Sequence, residues 1–427
     1  MRSRAGGFGF APISRADRAG EDEAGWNWRI VLLIAVLPLF GQTFHYMKDL
    51  KPLWALSKAF PLLSLPLILP VLTRQHVPLV GGWLIAFIWL VLVSSFAAMF
   101  SFDQNYVLGL TAQVKLLPML YALSFLGLLL LVRPTSKELL LAFGLCGVLT
   151  FATLFLLWAL APQSWYVTSI EYGDAPLLSA DDRGNRIRMP MFFAMFVLFA
   201  LYRRLLAQPE WRTGALVGVA LAIVIGIVRT RAVVLASMAT LAIVTLMAAP
   251  PRWRVGAIAA SLVGALLLLQ VPYVQSAFDT SSASGFNVRE VTAAKAIAFL
   301  GQDPLRWLFG VGTITSLSTG GLATFFNHYF FLADISWLGI VFEFGLVGAA
   351  IMVFLLVRTW LFARSVRRTI DSPAVAGMQD YVLFTLIQSP LYSTMTLQPG
   401  EIAIIAATFV YQSIIVRDQG MGTARKA

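Results

Sequence analysis

The chain has 427 residues, of which 59% are hydrophobic and only 12% are charged. Soluble domains carry about 25% charged residues, so this composition excludes a protein that covers itself with a water-compatible surface. A formal net charge of +11 would suit a nucleic-acid-binding protein. In a membrane protein, however, basic residues first report topology, and we expect no nucleic-acid partner.

The N-terminal segment is rich in glycine and charge and lacks the apolar core of a signal peptide. We predict a disordered cytoplasmic tail over 1–25, a single transmembrane domain over 26–417 and a second cytoplasmic tail over 418–427. Cys146 is the single cysteine and lies inside an apolar run. Disulfides within the chain and thiolate metal sites are therefore excluded, and we expect no metal and no cofactor.

Apolar runs long enough to cross a bilayer recur from Trp28 almost to the C-terminus. They predict an all-α polytopic integral membrane protein with about twelve transmembrane helices. In chain order the predicted spans are approximately 28–46, 52–73, 78–100, 106–132, 138–161, 189–207, 213–228, 232–250, 255–275, 332–357, 379–397 and 400–416.

The distribution of basic residues gives the orientation of these spans. With both termini in the cytoplasm, most of the 32 Lys and Arg residues fall on the inner side, as the positive-inside rule requires. The short outer connections SFDQN and LQPG carry none. Two predicted outer loops, at about 162–188 and about 276–331, are long enough to carry function, and we predict that both are ordered and face the substrate.

Several basic residues lie on the outer side or within spans, and these are the functional candidates. Arg229 and Arg231 flank one threonine between two apolar spans. Ionisable residues at such a depth are costly and usually functional, although an arginine can also extend to the lipid phosphates, which is the alternative for Arg229. Arg186 and Arg188 end the first outer loop. Arg289 lies in the second.

Arg289 opens a stretch of the second loop for which we predict a helix on the membrane surface. The residues that can share its apolar face are Val291, Ala294, Ile297, Ala298 and Leu300. The GVG sequence at 310–312 predicts a turn whose backbone N–H groups approach an anion.

Outer arginines without a metal site suit a diphosphate, because guanidinium stays charged and binds phosphate oxygens bidentately. Transfer from a lipid diphosphate needs charge neutralisation and a base for the incoming hydroxyl. His328, at the end of the second outer loop, is the candidate base; an interfacial or capping histidine is the alternative. Asp334, and less favourably Glu343, is a candidate to orient His328 or to pair with an outer arginine.

Three segments of the C-terminal half resemble the O-antigen ligase/polymerase family of bacterial envelope membrane proteins. They are RTRAVVLASM, VREVTAAKAIAFLGQDPLRWLFGVG and NHYFFLADISWLGIVFEFGLVG. The resemblance implies that Arg231 and Arg289 are the functional arginines and that His328 is the functional histidine. It also implies action on undecaprenyl-diphosphate-linked glycans at the periplasmic face of the bacterial inner membrane.

These observations predict a metal-independent membrane glycosyltransferase. We assign His328, Arg231 and Arg289 to catalysis and Arg229, Arg186, Arg188 and Asp334 to substrate binding. The expected partners are an undecaprenyl-diphosphate-linked oligosaccharide, an acceptor glycan and membrane lipids, with other envelope polysaccharide assembly proteins as further candidates.

Three functions remain open at this point. The preferred one is polymerisation of O-antigen or exopolysaccharide repeat units. The first alternative is an O-antigen ligase that transfers glycan to lipid A core. The second is a transporter or flippase of lipid-linked glycans that performs no chemistry.

Overall fold

The computed structural model describes residues 27–48, 50–74, 77–168, 176–181, 184–253, 255–256, 259, 263–264, 270, 286–315, 321–327 and 330–424. Within these ranges the protein is a bundle of α-helices with one short β-hairpin. Eight of the described helical segments are long and apolar enough, by length and composition, to cross a membrane. The predicted all-α polytopic membrane fold is confirmed.

The described helices are, in chain order, α1 (Trp28–Phe40), α2 (Lys51–Leu72), α3 (Val80–Phe102), α4 (Tyr106–Val132), α5 (Ser136–Leu160), α6 (Phe192–Ala207), α7 (Trp211–Val228), α8 (Arg231–Ala248), α9 (Phe286–Leu300), α10 (Pro304–Phe309), α11 (Leu332–Arg367), α12 (Pro373–Gln388) and α13 (Pro399–Ala424). Four of them include a 3-10 or π-helical turn, at Leu65–Ile68, Gln113–Leu120, Val224–Val228 and Leu332–Ile335. Short helical turns occur at Gln163–Trp165, Pro251–Trp253, Leu322–Phe325 and Thr394–Leu397.

Two strands, β1 (Leu178–Asp181) and β2 (Gly184–Ile187), form an antiparallel hairpin in the first predicted outer loop. Ser179 pairs with Arg186 across it. This hairpin was not predicted, because each strand is only four residues long and carries no sustained alternation of apolar and polar residues.

The helices coincide with eleven of the predicted spans, while the span at 255–275 lies mostly outside the described residues. The proposed tail over 1–25 also lies outside them. Helix α13 continues to Ala424 instead of ending near 416. Helices α6 and α12 have only 16 residues each.

Side-chain caps fix the start of α1 and of α5. Asn27 accepts hydrogen bonds from the backbone N–H groups of Arg29 and Ile30. Thr135 and Glu138 form a reciprocal capping box at the start of α5. Asn27 also donates to Glu138, so one carboxylate joins the two helix starts at the predicted inner face.

The bundle has an apolar core, as soluble proteins do, but its outer surface is apolar as well. Helix α6 packs between α5 and α12, and the aromatic rings of Phe143, Phe192 and Phe199 are fully buried there. Large apolar side chains on the outside stay exposed, among them Phe100 at 79% and Leu160 at 75%. Such a surface is favourable in contact with lipid hydrocarbon and costly in water.

A buried ion pair joins α6 to α12 in the predicted inner half. Arg203 Nε and Nη2 donate to the two oxygens of Asp380 at 2.5 and 2.7 Å. The bidentate geometry neutralises both charges away from solvent, which a membrane interior requires.

Candidate functional site: an outer arginine cluster

The β-hairpin packs against the end of α7, and this contact organises the outer face. Strand β2 packs against the turn Val224–Val228. Arg229 then ends α7 in the left-handed conformation, with φ of 50°, and its Nε donates to the carbonyl of Gly226 at 2.8 Å. A Cβ on Gly184, which has φ of +82°, would lie 2.5 Å from Arg229 Nη1. The guanidinium therefore lies directly against the hairpin backbone.

The elements that meet at this contact, or the residues next to them, carry four arginines, and we call them the outer arginine cluster: Arg186, Arg188, Arg229 and Arg231. Arg186 is buried, and its Nε donates to Ser179 Oγ at 3.2 Å. Arg188 follows β2, and Arg231 is the first residue of α8. The Nε atoms of Arg188 and Arg231 are shielded from solvent. Four of the seven predicted site residues thus lie on or next to the elements that form one contact.

A pair of tyrosines lies beside the cluster. The hydroxyl groups of Tyr46 and Tyr392 are 3.2 Å apart. Burial raises the pKa of Tyr392 well above its usual value, and Tyr46 and the carboxylates of Glu401 and Asp334 raise it further. Burial also raises the pKa of Tyr46, which lies close enough to Arg188 for the guanidinium to oppose that rise. The structure therefore brings Arg188 and Asp334 to the same neutral tyrosine pair.

Glu401 is a site residue that the sequence analysis missed. It is 4% exposed, lies in the first turn of α13 and accepts a hydrogen bond from the hydroxyl of Tyr381. A single carboxylate that opens an apolar span is itself a signal for function, so the sequence contained a clue. No comparable sequence signal identifies Tyr46 and Tyr392, which lie 346 residues apart.

Hydrogen bonds join the start of α11 to the segment that carries Tyr392. Ser336 adopts φ 50° and ψ −118°, a strained conformation for a residue with a side chain. Its hydroxyl donates to the carbonyl of Ser389, and Ser393 donates back to the carbonyl of Ser336 at 3.0 Å. Trp337 Nε1 donates to Ser389 Oγ at 3.2 Å. These bonds hold the turn with Asp334 next to the tyrosine pair.

The prediction that the turn at 310–312 binds an anion is wrong. The N–H of Val311 donates to the carbonyl of Phe342 at 2.7 Å, and that of Gly312 donates to Glu343 at 3.2 Å. Gly345 interrupts α11 with φ of 70°, which frees these carbonyls from their intrahelical partners. The N–H groups of Val311 and Gly312 therefore satisfy carbonyls at the break in α11 and do not bind an anion.

Glu343 does not pair with an outer arginine. Its carboxylate accepts from Lys115 Nζ at 2.6 Å and from Gln113 Nε2 at 3.3 Å. The Glu343 side chain is 3% exposed, whereas that of Lys115 is 35% exposed. The pair belongs to the contact between α4 and α11, so of the two carboxylates proposed to assist the site only Asp334 lies near the tyrosine pair.

Arg289 lies on α9, a helix that packs against α11 and its first turn, Leu332–Ile335. The predicted helix is confirmed as α9, and its predicted apolar face is largely exposed, with Val291 at 43% and Ile297 at 49%. Leu300 is the exception, because it is fully buried. Arg289 is exposed, and no contact among the described residues joins it to the outer arginine cluster.

His328 lies outside the described residues. Of its described neighbours, Phe330 is 3% exposed, and its ring stacks on Phe326 with centroids 4.2 Å apart. The base role assigned to His328 stays a prediction.

Among the described residues, no group of three or more His, Cys, Asp or Glu side chains is placed to hold a metal ion. No protein-family model matches the chain, and no curated protein matches it.

Proposed function

We propose that the protein transfers a glycan from a polyprenyl diphosphate carrier to an acceptor sugar hydroxyl at the outer face of the membrane. The observation that carries this proposal is the outer arginine cluster, whose four members lie on or next to the hairpin strand and helix ends that pack together here. Concentrated, partly desolvated guanidinium groups bind a phosphate dianion more strongly than exposed ones do. The resemblance of three segments to the O-antigen ligase/polymerase family points to the same donor.

In the proposed reaction, Arg229 and Arg231 bind the diphosphate, and Arg188 extends the positive field toward the tyrosine pair. Arg186 is buried behind them and positions the hairpin through Ser179. The bond between the anomeric carbon and the diphosphate oxygen breaks, and the guanidinium groups stabilise the negative charge on the leaving group.

The acceptor hydroxyl loses its proton to His328 as it bonds to the anomeric carbon. The products are a lengthened glycan, undecaprenyl diphosphate and a proton on the imidazole. Asp334 lies beside Tyr392 and contributes negative charge that would stabilise the imidazolium. Arg289, which is exposed on α9, would contact the donor from the membrane surface.

We further propose that the acceptor is a second lipid-linked glycan, so that the reaction is a polymerisation at the periplasmic face of the bacterial inner membrane. A ligase would instead transfer to lipid A core with the same donor chemistry. A transporter is less well supported, because basic residues that would line a path already have partners of their own: Lys58 contacts His45, and Lys115 contacts Glu343.

The experiment incubates purified protein with a short undecaprenyl-diphosphate-linked oligosaccharide and separates the glycans on a gel. We expect a ladder from the wild type and none from Arg231→Ala or His328→Ala. Arg212→Ala is the matched control, since Arg212 is exposed at the start of α7 on the predicted inner side, and it should give the full ladder. No product with either a second donor or lipid A core as acceptor would refute glycan transfer.

A further inference from the structure

A second group of basic residues lies on the other side of Tyr46. Lys58 Nζ is 3.1 Å from Nδ1 of His45, and Lys48 is close enough to act on the same imidazole. These residues have no role in the proposed mechanism. We call His45, Lys48 and Lys58 the lysine–histidine group.

The hydrogen bond between Lys58 and His45 fixes the chemistry of this group. An ammonium has no lone pair, so Lys58 must be the donor and Nδ1 the acceptor. A neutral imidazole then carries its proton on Nε2, which leaves that N–H as a second donor. The ammonium keeps further N–H bonds for a ligand. The pair therefore presents donors and positive charge.

The charge of Lys58 has no carboxylate partner in the described part of the chain. Lys58 forms no ion pair there, and its other contact is the face of Trp54, with Nζ 5.9 Å from the ring centroid. A lysine that only extends to the lipid surface has no need of a protein imidazole. Here the side chain is directed onto His45 while the residue remains exposed. A site with several donors and excess positive charge fits a ligand that only accepts, as a phosphate does.

The position of the group places this ligand next to the arginine cluster. His45 precedes Tyr46, and their rings are 5.0 Å apart in an edge-to-face arrangement. Tyr46 in turn contacts Tyr392 and lies near Arg188. The two basic groups thus flank one tyrosine pair, each within reach of it.

We propose that His45, Lys58 and Lys48 form a second binding site, for the phosphate of a membrane lipid that serves as the acceptor. The acceptor role rests on the proposed function, whereas the binding of a lipid phosphate does not. In a polymerase this phosphate belongs to a second polyprenyl diphosphate, and in a ligase it belongs to lipid A. Two phosphate sites on either side of one tyrosine pair would hold donor and acceptor at a short separation.

Native mass spectrometry of the full-length protein, purified in neutral detergent, counts bound lipids directly. With undecaprenyl phosphate as the probe, we expect two molecules on the wild type and one on Lys58→Met. Loss of a charged hydrogen bond should weaken the second binding event by roughly tenfold or more. Lys58→Arg should keep two molecules, and so should Lys51→Met, because Lys51 is an exposed lysine at the start of the same helix. Undecaprenol, which lacks the phosphate, should not be retained.

The Arg231→Ala variant separates this inference from the proposed function. Binding of one molecule that disappears on adding Lys58→Met supports the second site. If Lys58→Met has the wild-type unfolding temperature and still binds as many undecaprenyl phosphate molecules as the wild type, the second site is overturned. A single wild-type molecule that Lys58→Met removes supports the second site while refuting donor binding by the arginines. If the wild type binds a single molecule that Lys58→Met keeps and Arg231→Ala loses, the second site is overturned. The proposed function is then still supported.

Two further probes identify the source of the phosphate. Lipid A and inorganic phosphate are each tested on Arg231→Ala with and without Lys58→Met. Retention of undecaprenyl phosphate alone assigns a polyprenyl carrier, and retention of lipid A assigns a ligase acceptor. If inorganic phosphate competes for the site without any lipid being retained, the lipid assignment is overturned.

Discussion

The guanidinium of Arg229 lies against the backbone of Gly184, so that a Cβ on Gly184 would be 2.5 Å from Nη1. Arg229 is itself in the left-handed conformation, and the two residues come from elements that are 45 positions apart in the chain. The start of β2 and the end of α7 therefore position each other. The arginine cluster depends on this contact.

Gly184→Ala should reduce glycan transfer by displacing the Arg229 side chain. The positive φ of +82° adds roughly 1 kcal/mol of strain for any residue with a Cβ. Gly81→Ala is the control, because a Cβ on Gly81 would meet no atom within 4 Å. Transfer rates and unfolding temperatures of both variants test this. Full activity in Gly184→Ala would show that Arg229 need not stay in place.

Gly345→Ala should destabilise the protein by about 3 kcal/mol, since a left-handed alanine is strained and its Cβ would collide with the carbonyl of Leu308. Gly144→Ala in α5 has open space around it and should leave the unfolding temperature unchanged or raise it slightly. Thermal unfolding in detergent measures both. Equal unfolding temperatures for the two variants would contradict the fastening of the 310–312 turn to α11.

Lys115→Met should destabilise the folded protein more than Glu343→Gln does. Removing the lysine leaves the buried carboxylate of Glu343 without its cation, at a cost of about 2 to 3 kcal/mol. Removing the carboxylate leaves an ammonium that is 35% exposed and can turn to solvent or lipid phosphate. The double variant should recover most of the loss, which a double-mutant cycle of unfolding temperatures would detect. Additive losses would mean that the two groups do not interact.

The pH dependence separates the two outer histidines. Burial, and then the charges of Lys58 and Lys48, lower the pKa of His45 to about 4. A base with an ordinary imidazole pKa of about 6.5 should make transfer fall as pH drops through that value. His45→Gln should leave this inflection in place if His328 is the base. A wild-type inflection near pH 4 instead of pH 6.5 would assign the base to His45. Loss of the inflection in His45→Gln would assign it to His45 as well.

The same pKa shift predicts a stability effect with a definite sign. Between about pH 6.5 and 4 the unfolded chain binds a proton at His45 that the folded protein does not. The contribution of His45 is therefore fully present above pH 6.5 and is lost as the pH falls toward 4. The unfolding temperature should fall more steeply over pH 7 to 5 for wild type than for His45→Gln. Parallel curves would show that His45 is protonated alike in both states.

The sequence was sufficient for the class of fold and for most spans, because membrane-length apolar runs and loop charges are local signals. It also identified the arginines of the outer cluster, since a charged residue between two apolar runs is conspicuous on its own. Another local signal, the pair of glycines in GVG, led to a wrong role for 310–312. The turn has the glycines of an anion site, but its N–H groups bond to carbonyls of Phe342 and Glu343, which lie about thirty residues further along the chain.

What the sequence missed depends on pairing between distant residues. Lys115 and Glu343 are 228 residues apart, and Tyr46 and Tyr392 are 346 apart. A single sequence carries no information on which polar residue in one span meets which in another. Lys58 and His45 are only 13 residues apart, but His45 lies in the turn between α1 and α2, whereas Lys58 lies within α2. Helical periodicity does not relate positions across such a turn.

The most direct test of glycan transfer measures two products in one reaction. Purified protein is given an undecaprenyl-diphosphate-linked oligosaccharide, and released undecaprenyl diphosphate is counted against new glycosidic bonds. The proposed mechanism predicts one carrier released for each bond formed, with both products lost together in Arg231→Ala and His328→Ala. Movement of the intact donor across vesicle membranes with no carrier released would contradict it and would establish transport instead.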